Sequence, residues 1–164
     1  MRSTGEVAAL GSEFEDALLK SWLSVKPNRM PEKSVLIYGY GKDKLSETAK
    51  ILESLGYEVF TLEDALSIGK PISKEKAIAL MKNSKIDLVM TSGYAKGRDY
   101  KVRRTAVDLN VPVVLDANLA YELSKAFAWA KKNSFEIKEL SEYYGIKVPV
   151  NTSFLKEPIK SPNI

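Results

Sequence analysis

Behind a short apolar run, Gly39, Tyr40 and Gly41 are followed by Lys42, Asp43 and Lys44. Glycines let the backbone turn tightly, and the free amides of a helix start together with a lysine ammonium suit a small anion. Turn geometry alone accounts for a Gly-x-Gly pair equally well. The third glycine of a dinucleotide fingerprint and the spacing of a Walker loop are both missing. A second concentration of charge, Lys96, Arg98, Lys101, Arg103 and Arg104, holds only Tyr100 as an aromatic. It reads as a solvated loop and helix start rather than a nucleic-acid stripe, with Arg103 and Arg104 in structural ion pairs. Asp116 stands in front of a helical pattern, where the bland reading of its carboxylate is an N-cap.

The residue types narrow the chemistry further. Among 164 residues there is no Cys and no His. That removes thiolate nucleophiles, disulfides and thiolate metal sites, together with the commonest neutral-pH base and metal ligand. Catalysis would have to rest on carboxylates, Lys, Tyr or hydroxyls, so a non-catalytic module is favoured and no cofactor is expected. The net charge of +4, from 25 basic and 21 acidic residues, is modest and distributed. With no apolar run of membrane-spanning length and no charged-then-apolar leader, a cytoplasmic protein with neither membrane nor nucleic-acid partner is expected. Frequent Lys and Glu without Cys or His fit a thermophilic source.

These groups need elements to position them. Ser12 and Glu15 have capping-box spacing, and the helix they open predicts one stripe of Phe14, Ala17, Leu18, Trp22 and Val25 before Pro27 ends it. Residues 26–33 read as a linker. Strands are predicted at Ser34–Tyr38, Tyr57–Phe60, Ile86–Thr91, Pro112–Leu115 and Phe135–Lys138. Helices are predicted between them: one capped by Asp43 and stopped by Gly56, one from about Lys74 to Asn83, one capped by Asp99 and running to Leu109, and one from about Asn118 to Lys132. A short helix, Leu140–Tyr144, closes the pattern. Strands separated by helices need crossovers, which predicts an α/β, three-layer Rossmann-like sandwich on a five-stranded, mostly parallel sheet. The expected organisation is a junction segment and helix at 1–33, a domain at 34–145 and an extended or disordered tail at 146–164, rich in Pro, Lys and Asn. Ligands of such sheets bind beyond the carboxyl ends of the strands.

The run Arg2-Ser3-Thr4-Gly5-Glu6-Val7 resembles the junction in the large subunit of carbamoyl-phosphate synthetase where the second ATP-grasp half hands over to the regulatory domain. Val102 to Asp116, with its paired arginines and its Asn110-Val111-Pro112 turn, is similar to a helix-then-strand segment of the methylglyoxal-synthase-like domain that ends that subunit. The two matches keep the family's order and spacing. On this resemblance Met1 corresponds to a residue internal to a longer chain, and the fold implied is the methylglyoxal-synthase-like one. The implied function is a regulatory and interface domain that performs no chemistry itself. It serves a ligase that makes carbamoyl phosphate from bicarbonate, ATP and glutamine-derived ammonia for pyrimidines and arginine. The implied partner is the catalytic part of that subunit, and a homo-oligomer stays open.

The resemblance also implies an effector site. Lys44 matches a lysine that contacts the phosphate of a nucleotide effector such as UMP or IMP. Thr61 keeps the first residue of a Thr-x-Gly-Thr phosphate turn, but Glu63 and Asp64 replace its glycine and second threonine. Thr91 and Ser92 stand in the register of an Asn-Thr-Thr loop whose first residue is here Met90. The family's next helix, with a further phosphate-contacting lysine, has no counterpart before Gly69-Lys70-Pro71. At an effective dielectric near 20, a carboxylate about 5 Å from a phosphate charge costs on the order of 3 kcal/mol, roughly a hundredfold in affinity. The nucleotide-phosphate site is therefore expected to be degraded. Asp116 is what remains of a Tyr-Asp-Thr that members responsive to ornithine use, as an ammonium partner. Two alternatives stand beside regulation. One is a structural or oligomerisation module with no effector. The other is a free-standing methylglyoxal synthase, disfavoured because that active site uses a His.

Overall fold

The computed structural model describes residues 6–62, 66–92 and 99–145. Along the chain run α1 (Phe14–Leu23), β1 (Ser34–Gly39), α2 (Lys42–Ser54), β2 (Glu58–Leu62), β3 (Lys70–Ile72) and α3 (Lys74–Lys82). They are followed by β4 (Leu88–Ser92), α4 (Tyr100–Asp108), β5 (Val113–Val114), α5 (Ala117–Ala130) and α6 (Leu140–Tyr143). The sheet has five strands in the order β3-β2-β1-β4-β5, and every pairing is parallel. β1 and β4 are buried along nearly their whole length, as continuous apolar runs in a sheet covered on both faces must be.

Two apolar layers sandwich the sheet. Val35, Ile37, Val59, Leu88, Met90 and Val114 face α2 and α5, where Leu45, Leu52, Leu123 and Phe127 are fully buried. Leu36, Phe60, Leu62 and Val89 face α3 and α4 through Ala77, Met81, Val102 and Ala106. The alternation of neighbouring residues between the two clusters is the period-two pleat expressed as packing. This is the expected three-layer α/β sandwich, all parallel rather than mostly so. No helix of the described residues is long and apolar enough to cross a membrane.

The fifth strand is not where the sequence pattern puts it. Phe135–Lys138 is in no strand, and Ile137 is 98% exposed. After α5 the chain turns back toward α1: Phe135 meets Trp129 edge-on, and the Tyr143 hydroxyl accepts from Lys20 Nζ at 3.1 Å. The missing strand is β3, whose flanking Gly69 and internal Pro71 read as breakers; an edge position tolerates a residue without an amide donor.

Helix α1 keeps part of its predicted stripe, with Leu18 and Trp22 packed against the core, and departs from it at Phe14 and Val25, which are exposed. It begins at Phe14 with Glu13 as an N-cap whose side chain makes no capping bond, so the Ser12–Glu15 capping box does not form. Instead Asp16 Oδ2 accepts from the Ser12 amide at 3.0 Å and from Lys20 Nζ at 2.9 Å. Neutralised in this way, Asp16 is buried beside Leu19, while Phe14 is left exposed. Leu19 joins the same cluster as Leu123 and Phe127 of α5, so the helix folds back onto its own domain. At α2 the N-cap is Gly41 rather than Asp43, which lies inside the first turn. At α4 the N-cap is Asp99 as expected, but its carboxylate binds Arg103 instead of a backbone amide. The expected tail, 146–164, lies outside the described residues, as do residues 1–5 of the junction.

Candidate functional site

The sheet order reverses between β1 and β4, the place where open α/β sheets bind ligands beyond the carboxyl ends of their strands; residues 93–98, after β4, lie outside the described residues. Gly39, with φ 129°, sits where a Cβ would come 2.4 Å from the Ser92 carbonyl oxygen, so only glycine fits the close approach of the two strands. The Tyr40 amide donates to the Ser92 carbonyl at 3.1 Å, and the Ser92 hydroxyl donates back to the Tyr40 carbonyl. Gly41, with φ 76°, leads into α2; a Cβ there would lie 3.7 Å from Ala117 Cβ and 3.9 Å from Ser92 Oγ. The N-termini of α2 and α5 therefore converge on this turn. Because the cap of α2 is a glycine, no side chain accepts from the amides of its first turn. Those amides and the helix dipole are what an anion would use.

Of the five residues the sequence points to, three gather here. Lys44 stands in the first turn of α2, but its ammonium lies 3.8 Å from the centroid of the Tyr121 ring on α5 and 3.6 Å from Glu47 Oε2. Ser92 is nearly buried and spends its hydroxyl on Tyr40. Asp116 is the N-cap of α5, its Oδ1 accepting from the Leu119 amide at 2.8 Å. The two threonines differ. Thr61 pairs in register with Ile37 and so faces the α2/α5 layer, fully buried, with no hydrogen-bond partner for its hydroxyl. Thr91 pairs with Tyr38, which packs in the α3/α4 layer, so its hydroxyl lies on the opposite face of the sheet. One ligand cannot be held by both hydroxyls without passing through the sheet. Glu63, Asp64, Lys96 and Arg98 lie outside the described residues.

A second polar group sits on that other face. The Tyr38 and Thr91 hydroxyls are both buried and make no hydrogen bond, and Asp99 is buried nearby. Burial first, and then the neighbouring Asp99 carboxylate, push the Tyr38 hydroxyl well above the ordinary phenol range, so it is no base near neutral pH. Asp99 is held by Arg103 through Nε at 2.9 Å and Nη2 at 3.4 Å. Arg104 pairs with Asp108 at 2.8 Å, so both arginines form structural ion pairs, the role expected of them. Sequence reasoning missed the Tyr38 cluster. Asp99 and Arg103 at helical spacing were a visible signal, but the Tyr38–Thr91 pairing depends on strand register. Among the described residues no group of three or more Asp or Glu is placed to hold a metal ion.

No protein-family model matches the chain. The carbamoyl phosphate synthase large chain of Pyrococcus furiosus is 59% identical over 155 residues, covering 92% of this chain and 14% of that protein. The large chain of Hyperthermus butylicus is 49% identical over 154 residues, covering 90% of this chain and 14% of its own length. The chain thus spans about one seventh of the length of the curated relatives it matches. Among solved structures, a de novo designed Rossmann 2x3 fold protein covers 65% of this chain and 94% of its own at 17% identity and TM-score 0.37, which adds nothing to the sheet order above. On the strength of the extended identity, the chain belongs with the carbamoyl phosphate synthase large chains and corresponds to one portion of them.

Proposed function

We propose that the chain is a regulatory and docking domain of a carbamoyl phosphate synthase large chain, without catalytic chemistry of its own and with a degraded nucleotide-phosphate site. The ATP-dependent ligase activity, which serves pyrimidine and arginine synthesis, would reside in the remainder of the large chain. The observation that carries this reading is the 59% identity over nearly the whole chain to a protein about seven times longer.

The geometry supports the degraded site. The ammonium of Lys44 is engaged by Tyr121 and Glu47, the Ser92 hydroxyl is spent on a carbonyl, and Thr61 and Thr91 lie on opposite faces of the sheet. Asp116 acts as a helix cap, which weakens its case as an ornithine ligand. What survives is the uncapped start of α2, enough for a weak anion contact. These same observations favour a second reading, a purely structural module in which docking remains and no effector binds.

Thermal-shift titrations of the chain with UMP, IMP and ornithine separate the two. A site saturated at a hundred times its dissociation constant raises stability by about 2.7 kcal/mol. A dose-dependent rise with either nucleotide at micromolar concentration overturns the degraded-site reading. No rise with any of the three favours the structural module.

A further inference from the structure

A short helix lies over the sheet domain with a carboxylate in its contact. Of the ten residues of α1 only Asp16 and Leu19 are buried, while Phe14 and Leu23 stand exposed at its two ends. Leu19 packs with Leu123 and Phe127 of α5, and Leu18 and Trp22 lean on the same cluster. A helix this short does not persist alone in water, so its docking on α5 decides whether it forms. Asp16 is 4% exposed. Its Oδ2 accepts from the Ser12 amide and from Lys20 Nζ, and its Oδ1 has no hydrogen-bond partner among the described residues. A buried carboxylate deprived of its cation is strongly destabilising, so α1 stays docked only while Lys20 stays paired.

The same ammonium reaches both flanks of the fold. It donates to the Leu10 carbonyl at 3.4 Å, in the segment that leads into α1, and to the Tyr143 hydroxyl at 3.1 Å on α6. That hydroxyl donates in turn to the Leu10 carbonyl at 3.3 Å. A Cβ on Gly11 would lie 2.4 Å from the Ala17 amide nitrogen, so the lead-in segment is built against α1 and moves with it. Glu13 Oε2 accepts from the Trp129 indole at 2.9 Å. Beyond α1 the attachment is of another kind, held by the backbone. Asp87 Oδ2 accepts from the amides of Glu32, Lys33 and Ser34 at 3.2, 2.6 and 2.9 Å, and Arg29 Nη1 donates to the Asn110 carbonyl at 3.1 Å. We propose that residues 8–24 form a strap that opens as a unit while the sheet stays folded, anchored beyond α1 by Asp87 and closed by the Lys20 clasp on Asp16, Leu10 and Tyr143. Opening uncovers the α5 face at Leu123 and Phe127 and parts the lead-in segment from α6. The clasp thereby couples two flanks of the fold, Lys20 and Tyr143 being 123 residues apart.

Native-state hydrogen exchange of the whole chain, read amide by amide by NMR, tests the strap. In the wild type the amides of α1 exchange faster than those of β1 and β4 by about tenfold or more, the mark of a separate opening unit. Lys20→Met speeds α1 exchange by about a hundredfold, and the gap to β1 and β4 persists. Asp16→Asn/Lys20→Met removes the buried charge together with its partner and brings α1 exchange back to within about tenfold of the wild type. Tyr143→Phe speeds α1 exchange by about two- to tenfold from the other flank. One common exchange rate for α1, β1 and β4 in the wild type makes the helix part of a single cooperative unit and overturns the proposal, even if Lys20→Met fails to fold. Unchanged α1 exchange in Lys20→Met overturns the clasp, and unchanged exchange in Tyr143→Phe overturns the coupling between the flanks.

Discussion

Replacing Thr61 by valine separates a phosphate ligand from a packing residue. Thr61 is fully buried in the layer that holds Ile37 and Val59, and its hydroxyl has no hydrogen-bond partner. A buried polar group left unpaired costs about 1–3 kcal/mol, and valine fills the same shape with a methyl group in place of the hydroxyl. Thr61→Val should therefore stabilise the fold by about 1–3 kcal/mol. For a chain of this length each kcal/mol moves Tm by about 2–4 °C, so the expected rise is about 2–12 °C. Urea denaturation followed by circular dichroism reads the same gain as a higher midpoint at unchanged slope. Because a fully buried hydroxyl offers nothing to a bound phosphate, any weak nucleotide response of the wild type should persist in the variant. A loss of 1 kcal/mol or more, or abolition of a UMP response present in the wild type, would refute the reasoning and return Thr61 to the effector site.

Other substitutions probe the remaining site residues. Asp116→Ala should cost about 1 kcal/mol through loss of the α5 cap, whereas Asp116→Asn should be close to neutral; denaturation midpoints of the pair show whether the carboxylate acts as a cap. Tyr121→Leu removes a cation–π contact of about 0.5–1 kcal/mol from Lys44, so binding of inorganic phosphate, read by NMR shifts of the α2 amides, should tighten about two- to fivefold. The raised ionisation of Tyr38 sets a pH dependence. Above about pH 10 the unfolded chain loses this phenol proton while the folded chain keeps it, so stability falls by up to about 1.4 kcal/mol per pH unit. The stability is fully present below that pH, and Tyr38→Phe should lose one proton's worth of the slope in denaturation curves taken between pH 9 and 12.

The sequence by itself determined the layered α/β plan, because β1, β2, β4 and β5 are apolar runs separated by helices with a clear inward stripe. Asp116 was legible for the same reason: an N-cap is a contact within four residues and depends on nothing distant. For Arg103 and Arg104 the ion-pair role was legible, and the structure supplies the partners, Asp99 and Asp108, one helical turn away. What only the tertiary structure decided are contacts whose partners lie far along the chain. The three-residue β3, with Gly69 before it and Pro71 at its centre, becomes a strand only because the free edge of β2 pairs with it. Phe135–Lys138 alternates like a strand but finds no edge, and is drawn instead toward Trp129 and α1. The phase of α1 turns on whether Asp16 can be buried, which needs both Ser12 and Lys20 beside it. Thr61 and Thr91 look equivalent as hydroxyls at strand ends. Strand register sets Thr61 beside Ile37 and Thr91 beside Tyr38, one pleat apart on β1, and a one-residue difference in a period-two structure places them on opposite faces of the sheet.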